Sequence, residues 1–397
     1  MTTGPAMKLT TARGTSPATG PTTAPATEMT TAPPTRRATA TDCAGDLAGD
    51  RAWGRARGRA WDTALVAAVE RVLGRSGLTV SRIGLGLAAV GRPAYITLGR
   101  AADLGPDRSL EAMRARSHAL LDVAYAAGVR YVDVARSYGR AEEFLADWLQ
   151  TRGLAAGALT VGSKWGYHYI GDWRLDAAVH EVKDLRVEQL RRQFAESRAL
   201  LGDQLRLYQI HSATLESGVL DDQAVLDELR RIKAAGVAIG LTVSGPRQAA
   251  TIDRALELDL FDTVQATWNL LERSATGALE RAHAAGLGVI VKEALANGRL
   301  TAAGGHGPQL RDGGHGLPLL LELAQAQALA PDVLALAAAL GQPWADVVLS
   351  GAATPEQVRS NRLALEVALD PSLWRRLEPL AEPTERYWAE RARLAWT

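Results

Sequence analysis

The sequence predicts an α/β fold closed into a (β/α)8 barrel, and three observations carry that prediction. From about residue 78 onward, eight short apolar runs alternate with eight longer amphipathic ones. Several of the longer runs end on a glycine just past the last apolar turn, as at Gly128, Gly236 and Gly286. Glycine lacks a Cβ and so accepts the left-handed C′ position that closes a helix. Parallel strands need a crossover between neighbours, which the longer runs supply. The count of units and their total length favour closure over an open doubly wound sheet. An open sheet would also need a glycine-rich phosphate turn that opens a helix after an early strand. Gly84-Leu85-Gly86-Leu87-Ala88 has no helical pattern directly after it.

The expected strands are Arg82–Leu87, Arg130–Val134, Leu159–Lys164, Leu205–His211, Val237–Val243, Thr263–Thr267, Gly288–Lys292 and Asp346–Leu349. Each is a short apolar run of the kind a buried parallel strand requires. The expected helices are Ser109–Ala127, Ala141–Gln150, Val187–Leu201, Gln223–Ala235, Arg247–Leu258, Thr276–Ala285, Val333–Leu340 and Pro355–Val367. Together they make residues 78–397 a single barrel domain. Residues 1–60 read differently. They are rich in Thr, Ala, Pro and Gly, with an Arg/Gly/Trp patch at the end, and lack the large apolar side chains that offset ordering entropy. A disordered tail is expected there. Residues 61–77 carry Leu65, Val69, Val72 and Leu73 at helical spacing, which predicts an N-terminal helix.

Composition narrows the function. The chain has 397 residues, 47% of them hydrophobic, and a net charge of +1. No electrostatic pull toward nucleic acid or anionic membrane follows from that charge. No uninterrupted apolar stretch reaches the roughly 18 residues of a membrane span. Cys43 is the single cysteine, which excludes an internal disulfide framework and fits a reducing cytoplasm. Arg36-Arg37 lacks the apolar stretch of a twin-arginine export signal after it.

Four polar residues sit where expected strands stop. Asp133 ends Tyr131-Val132-Asp133, and Tyr138 follows in Val134-Ala135-Arg136-Ser137-Tyr138-Gly139. Lys164 ends Leu159-Thr160-Val161-Gly162-Ser163-Lys164, and His211 ends Leu205-Arg206-Leu207-Tyr208-Gln209-Ile210-His211. In a closed barrel the strand C-termini converge at one mouth, where catalysis is found. Acid, phenol, amine and imidazole gathered there can move one proton to or from a carbonyl. An ordinary tyrosine has a pKa near ~10, and a neighbouring ammonium lowers it. Lys164 would supply that charge, Asp133 would aim Lys164, and His211 would orient a carbonyl oxygen. Tyr138 would then act as general acid or base, a role worth ~10² to 10⁴-fold. No side chain supplies a hydride, so the reading requires a nicotinamide cofactor.

These residues resemble the aldo-keto reductase superfamily, whose pattern is an Asp-x-Ala-x-x-Tyr-Gly turn with a strand-end Lys and a strand-end His. The resemblance runs from about Ser81 to Leu369. It implies a (β/α)8 barrel and NAD(P)(H)-dependent interconversion of an aldehyde or ketone with its alcohol. It also implies a catalytic tetrad of Asp133, Tyr138, Lys164 and His211. Tyr208-Gln209-Ile210-His211-Ser212-Ala213 is similar to the aldose and galactose dehydrogenase subgroup, which extends the implied substrates to aldoses and their lactones. For the cofactor, the resemblance implies Gln265 as the carboxamide contact, with Thr242 in the place of a usual Ser after the fifth strand and Val243 replacing its Asn. Lys292 stands where the family usually stacks an aromatic ring, with Leu295 in the same loop. Gly351, Gln357 and Asn361 fall in the loop and helix start that hold the adenosine end. Gly351 and Gln357 replace cations found in NADP-preferring members. Arg359 remains nearby, so the reading leans to NADP(H) with NAD(H) open.

Taken singly, each of these residues has a structural explanation: a turn cap, a packing tyrosine, a solvated lysine, a hydrogen-bonded histidine. Their order on separate strands favours the tetrad. His168 reads as a loop residue. His306 and His315 lie in Gly-rich Ala303–Gly316, expected to be a mobile loop over the mouth, and without a third ligand they predict no metal site. Trp165, Trp173 and Trp268 are candidates to line a sugar-binding mouth. Two other functions fit parts of the pattern. One is a nucleotide-sensing interaction module with little turnover, suggested by Val243 and Lys292. The other is a Schiff-base aldolase using Lys164, which an adjacent Asp133 opposes.

Overall fold

A computed structural model describes residues 70–306 and 316–397. The tail expected over 1–60, most of the segment expected to form the N-terminal helix, and His315 lie outside the described residues. Eight parallel strands close into a barrel. They are β1 Ile83–Gly86, β2 Tyr131–Asp133, β3 Thr160–Trp165, β4 Leu205–Ala213, β5 Ala238–Val243, β6 Thr263–Thr267, β7 Gly288–Lys292 and β8 Val347–Ser350. The cylinder closes where β8 pairs with β1, with Leu349 opposite Gly84. The crossover helices are α1 Leu110–Ala126, α2 Ala141–Thr151, α3 Val187–Leu201, α4 Gln223–Ala234, α5 Gln248–Glu257, α6 Thr276–Ala284, α7 Pro331–Leu340 and α8 Pro355–Arg362. Every expected strand and helix is present, with ends moved by a few residues. Expected helix Pro355–Val367 stops sooner, at Arg362, and continues as a 3₁₀ turn.

The helices form for the reasons their sequences give. Ser109 caps α1 by accepting from Ala112 N–H, and Asp222 caps α4 by accepting from Ala224 and Val225 N–H. Helix α4 buries Val225, Leu226, Leu229 and Ile232, a spacing that lays one apolar stripe on the barrel. Gly128, Gly236 and Gly286 all have φ near +85 to +89°, as expected of helix-ending glycines.

One expectation fails. Within the described part of 61–77, Glu70–Val72 is a strand rather than a helix, and it pairs antiparallel with Thr79–Ser81. Gly74 and Gly77 both adopt positive φ between the two strands. This hairpin stoppers the bottom of the barrel. Leu73, Leu78 and Val80 join Tyr131, Leu207, Ile290 and Val347 in one buried cluster. Leu73 therefore follows the demand of a hole to be filled, which a helical pattern cannot register.

The mouth has three additions. A hairpin pairs Tyr167–Tyr169 with Glu181–Lys183. A short helix, Arg100–Leu104, lies between β1 and α1. The C-terminal helix Thr384–Ala392 is followed by a segment in which Thr397 and Tyr95 exchange backbone hydrogen bonds of 3.1 Å in both directions. Among the described residues no single helix is long and apolar enough to cross a membrane.

Candidate active site

The floor of the mouth is built from side chains pointing into the barrel. Glycines in β1 and β3 make the room. A Cβ on Gly84 would sit 2.7 Å from the Tyr131 ring, and one on Gly162 would sit 2.5 Å from its hydroxyl. Tyr131 therefore lies across the barrel interior and donates to Asp133 Oδ2 at 3.1 Å. Gln265 Nε2 donates to the same oxygen at 2.9 Å, and Gln209 Nε2 reaches it at 3.5 Å. The other carboxylate oxygen pairs with Lys164 Nζ. Asp133 and Lys164 are both essentially buried, 2% and 1% exposed. A buried ion pair is tolerable only when further hydrogen bonds satisfy both charges, and here the barrel interior supplies them.

Above this floor lies the phenol. Lys164 Nζ donates to Tyr138 Oη at 3.4 Å and to Val134 O at 3.0 Å. The Tyr138 and His211 rings meet edge to face at 5.6 Å between centroids. His211 Nδ1 lies 3.4 Å from Ser137 Oγ, and its ring also packs edge-on to Tyr167. Asp133, Tyr138, Lys164 and His211 thus come together at one rim, on or just after three successive barrel strands.

The electrostatics differ in one respect from the sequence expectation. Lys164 was expected to lower the phenol pKa, yet burial, with Asp133 next, pushes Tyr138 well above the ordinary tyrosine range. Burial is the main reason, and the Asp133 carboxylate adds to it while itself paired with Lys164. Arg92 pulls the phenol the other way. His211 is held well below its usual pKa, by burial first and then by the cations Lys164, Arg92, Lys292 and Lys183. A neutral imidazole that donates to an oxygen, rather than an imidazolium, is the consequence.

A cleft of about 670 Å³ runs from this group across the mouth to the start of α8. Thr242, Gln265, Lys292, Leu295, Gly351, Gln357 and Asn361 all line it. Their hydrogen bonds refine the expected roles. Gln265 is committed to Asp133 through its amide nitrogen. Thr242 accepts from Ser212 N–H at 2.7 Å. Lys292 Nζ donates to Thr267 Oγ1 at 2.7 Å, and burial lowers its pKa to about 8. Glu293 follows with φ of +56° and an ion pair to Arg391 from the C-terminal helix, which holds its carboxyl at about 2 against the opposing effect of burial. Asn361 shares a 2.7 Å hydrogen bond with Ser350 Oγ.

Three expectations about the rim are revised. Trp165 and Trp268 are buried in the main core. Trp173 packs on Phe144 and donates to Arg108 O. Among the described residues the tryptophan that lines the cleft is Trp396, beside Tyr95 and Tyr167. His168 faces Arg192 on the hairpin. Several residues escaped the sequence reading: Arg92, Tyr95, Asp103, Glu181, Asn297 and Arg391 all line the cleft. Arg92 and Asn297 carried a signal, each as a polar residue in the loop after a strand. For Asn297 the structure strengthens it, since its Oδ1 is buried without a partner. No group of three or more potential metal-ligating side chains occurs among the described residues.

A closed (β/α)8 cylinder with an acid, a phenol, an amine and an imidazole at its C-terminal mouth defines an oxidoreductase class of barrel. The aldo/keto reductase family model matches residues 82–382, and the chain belongs to that family. It is 26% identical over 313 residues to an uncharacterized oxidoreductase of Bacillus subtilis, covering 74% of this chain and 89% of that protein. It is 29% identical over 355 residues to the NADH-specific methylglyoxal reductase of Escherichia coli, covering 79% and 98%. An aldo-keto reductase of Bacillus halodurans, solved in its holo form, superposes with a TM-score of 0.60 at 22% identity, covering 79% of this chain and 96% of that one. That last likeness concerns the fold alone.

Proposed function

We propose that the chain is a nicotinamide-dependent carbonyl oxidoreductase in which Tyr138 is the general acid and base. The observation that carries the reading is the Asp133–Lys164–Tyr138 contact series at the mouth, with His211 on the other side of the phenol. Neutral His211 would donate to a substrate oxygen and hold it beside Tyr138. Tyr138 carries its proton at neutral pH, as a phenol with an ordinary pKa near ~10 already does, and can deliver it to a carbonyl being reduced. Burial makes it a weaker acid, and Arg92 opposes that shift. Lys164, fixed by Asp133 and Val134 O, would hold the phenol oxygen in place. When bound, the cofactor supplies or accepts the hydride.

The cleft fits such a cofactor. It extends from the tetrad to the loops after β7 and β8, where barrels commonly bind phosphate groups. Asn297, with its unpartnered oxygen, lies on that path, and a Cβ at Gly351 would meet nothing within 4 Å. Lys292 and Gln265 would border the nicotinamide end, and Gln357 and Asn361 the adenosine end.

At the adenosine end the groups favour NAD(H), which reverses the lean toward NADP(H). Asp103 Oδ2 accepts from Gln357 Nε2 at 2.9 Å. Gln357 Oε1 occupies Ala353 N–H, Thr354 Oγ1 occupies Gln357 N–H, and Pro355 has none to offer. Ala353 N–H, Gln357 N–H and Gln357 Nε2 are thus engaged internally, and the last of them is held by the Asp103 carboxylate. Arg359 is tied to Glu356 at the surface. A carboxylate suits a ribose hydroxyl and repels a phosphate.

The substrate would be a small aldehyde or ketone, or an aldose, received between Tyr95, Tyr167 and Trp396. The methylglyoxal reductase likeness supports the small-carbonyl end of that range. Against a Schiff-base role, Lys164 is ion-paired with Asp133, and an ammonium held in such a pair has no lone pair for attack. The single cysteine supports a reducing compartment, and we place the chain in the cytoplasm. NADH and NADPH oxidation with a panel of aldehydes, run beside NAD(P)⁺ reduction by free aldoses, tests the reading. Tyr138→Phe should lower turnover by ~10² to 10⁴-fold and leave cofactor affinity, measured by fluorescence, nearly unchanged. Full turnover in that variant refutes the general-acid role. Cofactor affinity with negligible rate across the whole panel in the unmutated chain would support a sensing module instead.

A further inference from the structure

Two cations lie against the Tyr138 ring, and the tetrad accounts for only one. Lys164 Nζ is 4.9 Å from the ring centroid and the Arg92 guanidinium carbon is 5.5 Å from it. Asp133 neutralises the first. Arg92 is 2% exposed, a place a guanidinium takes only when it is paired, and its one carboxylate contact among the described residues is Glu181. It is caged by Tyr95 at 5.1 Å and Trp396 at 4.7 Å as well as by Tyr138. Its Nη1 donates to Ser137 O at 2.9 Å and to Glu181 Oε2 at 2.7 Å, while its Nε is buried without a partner.

The backbone fixes this arrangement. A Cβ on Gly91 would lie 2.4 Å from Tyr138 O, and one on Gly139 would lie 2.5 Å from Gly91 O. Arg140 N–H donates to Gly91 O at 2.8 Å. The turn bearing Arg92 and the turn bearing Tyr138 are therefore packed backbone to backbone, with no slack for one to move without the other. Glu181 comes from the mouth hairpin and its side chain is only 24% exposed.

We propose that Arg92 is a positioning residue for the Tyr138 phenol, its charge held over the ring and its strength set by Glu181. The proposal rests on the reading of Tyr138 as proton donor and acceptor, and adds a control that the tetrad does not contain. The charged and titratable groups facing the phenol come from every side of the mouth. Asp133 and Lys164 rise from β2 and β3, His211 from β4, Glu181 from the hairpin, Glu293 from the end of β7, and Arg92 and Tyr95 from the loop after β1. Asp133, Glu181 and Glu293 oppose the phenolate and Arg92 favours it. Glu293 is already compensated by Arg391, which leaves Arg92 and Glu181 as the adjustable pair.

The signs are opposite for the two members. Removing the cation disfavours the phenolate, and removing the carboxylate that restrains it favours the phenolate. A fluorinated tyrosine incorporated at position 138 has a more acidic phenol than tyrosine and reports its state through its ¹⁹F shift, with no substrate needed. In full-length protein, Arg92→Met should raise its ionisation midpoint by about one pH unit or more. Glu181→Gln should lower it, and Arg92→Lys should restore part of the loss. A purely structural role would move both variants in one direction, or neither. Shifts of the same sign in Arg92→Met and Glu181→Gln, or an unmoved midpoint in Arg92→Met, overturn the proposal. If Arg92→Met does not fold, a midpoint that fails to fall in Glu181→Gln is sufficient to reject it. The midpoint is independent of turnover, so a failure of the general-acid reading, seen as full activity in Tyr138→Phe, is distinguishable from a failure of this one.

Discussion

The two ends of the cleft are built on different principles. At the tetrad end, Asp133 is held by Tyr131, Gln209, Gln265 and Lys164, all from strands, three of them on strands other than its own. At the far end, Asp103, Thr354 and Gln357 come from a short helix and from the start of α8, and they bond chiefly to one another. The closed sheet fixes the first set through its register, while loops and helix ends fix the second. A charge on the floor is therefore expensive to alter, whereas a charge at the rim is open to exchange. The proposed chemistry is thus built into the cylinder, and the proposed cofactor choice is attached to its edge.

The sharpest way to break this contrast is to remove a charge on the floor. Asp133→Asn leaves buried Lys164 without its partner and should destabilise the chain by about 3–5 kcal/mol, measured by denaturant unfolding. Gln357→Ala at the rim should cost well under half of that, and equal losses would show that the two ends do not differ in the way described.

Next in size is the cofactor choice. Asp103→Arg should shift the ratio of NADPH to NADH affinity toward NADPH by about tenfold, equivalent to about 1.4 kcal/mol. Fluorescence titration of both cofactors reads it directly, and an unchanged ratio removes Asp103 from the adenosine end.

A smaller effect tests how α8 starts. Thr354 accepts from Gln357 N–H at 3.3 Å, so Thr354→Ala should cost about 1 kcal/mol and loosen the loop that carries Gly351. Hydrogen exchange at residues 351–358 would show it, with no change expected at β2 or β3.

The smallest is a pH effect at Lys292. Its pKa is lowered to about 8 by burial, so its positive charge is present below that pH and lost above it. A cation beside the nicotinamide disfavours the positively charged oxidised ring. The preference for NADH over NAD⁺ should be greatest at neutral pH and fall several-fold as pH rises through about 8. Lys292→Met should abolish the pH dependence. A preference that persists unchanged above pH 9 in the unmutated chain would separate Lys292 from the nicotinamide.

The polar floor also shows why parts of the site stay hidden in one dimension. Asp133, Lys164 and His211 are legible because each interrupts an apolar run at or within two residues of the end of its strand. Tyr131 and Gln209 are not, since they sit inside such runs and pass as ordinary strand residues. Their turn inward follows from the glycines opposite, Gly84 and Gly162 for Tyr131, whose proximity exists only once the barrel closes. Arg92, Glu181 and Trp396 lie far apart along the chain and meet only because loops from three different places fold over one rim.

By itself the sequence determined the alternation of eight strands and eight helices, because the period of apolar residues is a local property of the backbone. It likewise determined which polar groups mark strand ends. Tertiary structure decided the rest. It turned the expected N-terminal helix into a plug at residues 70–81, because the bottom of a closed cylinder exposes Leu207, Ile290 and Val347 until something covers them. It set the direction in which Tyr138 is shifted, because that depends first on how deeply the ring is buried and then on the carboxylates beside it, neither of which spacing along the chain encodes.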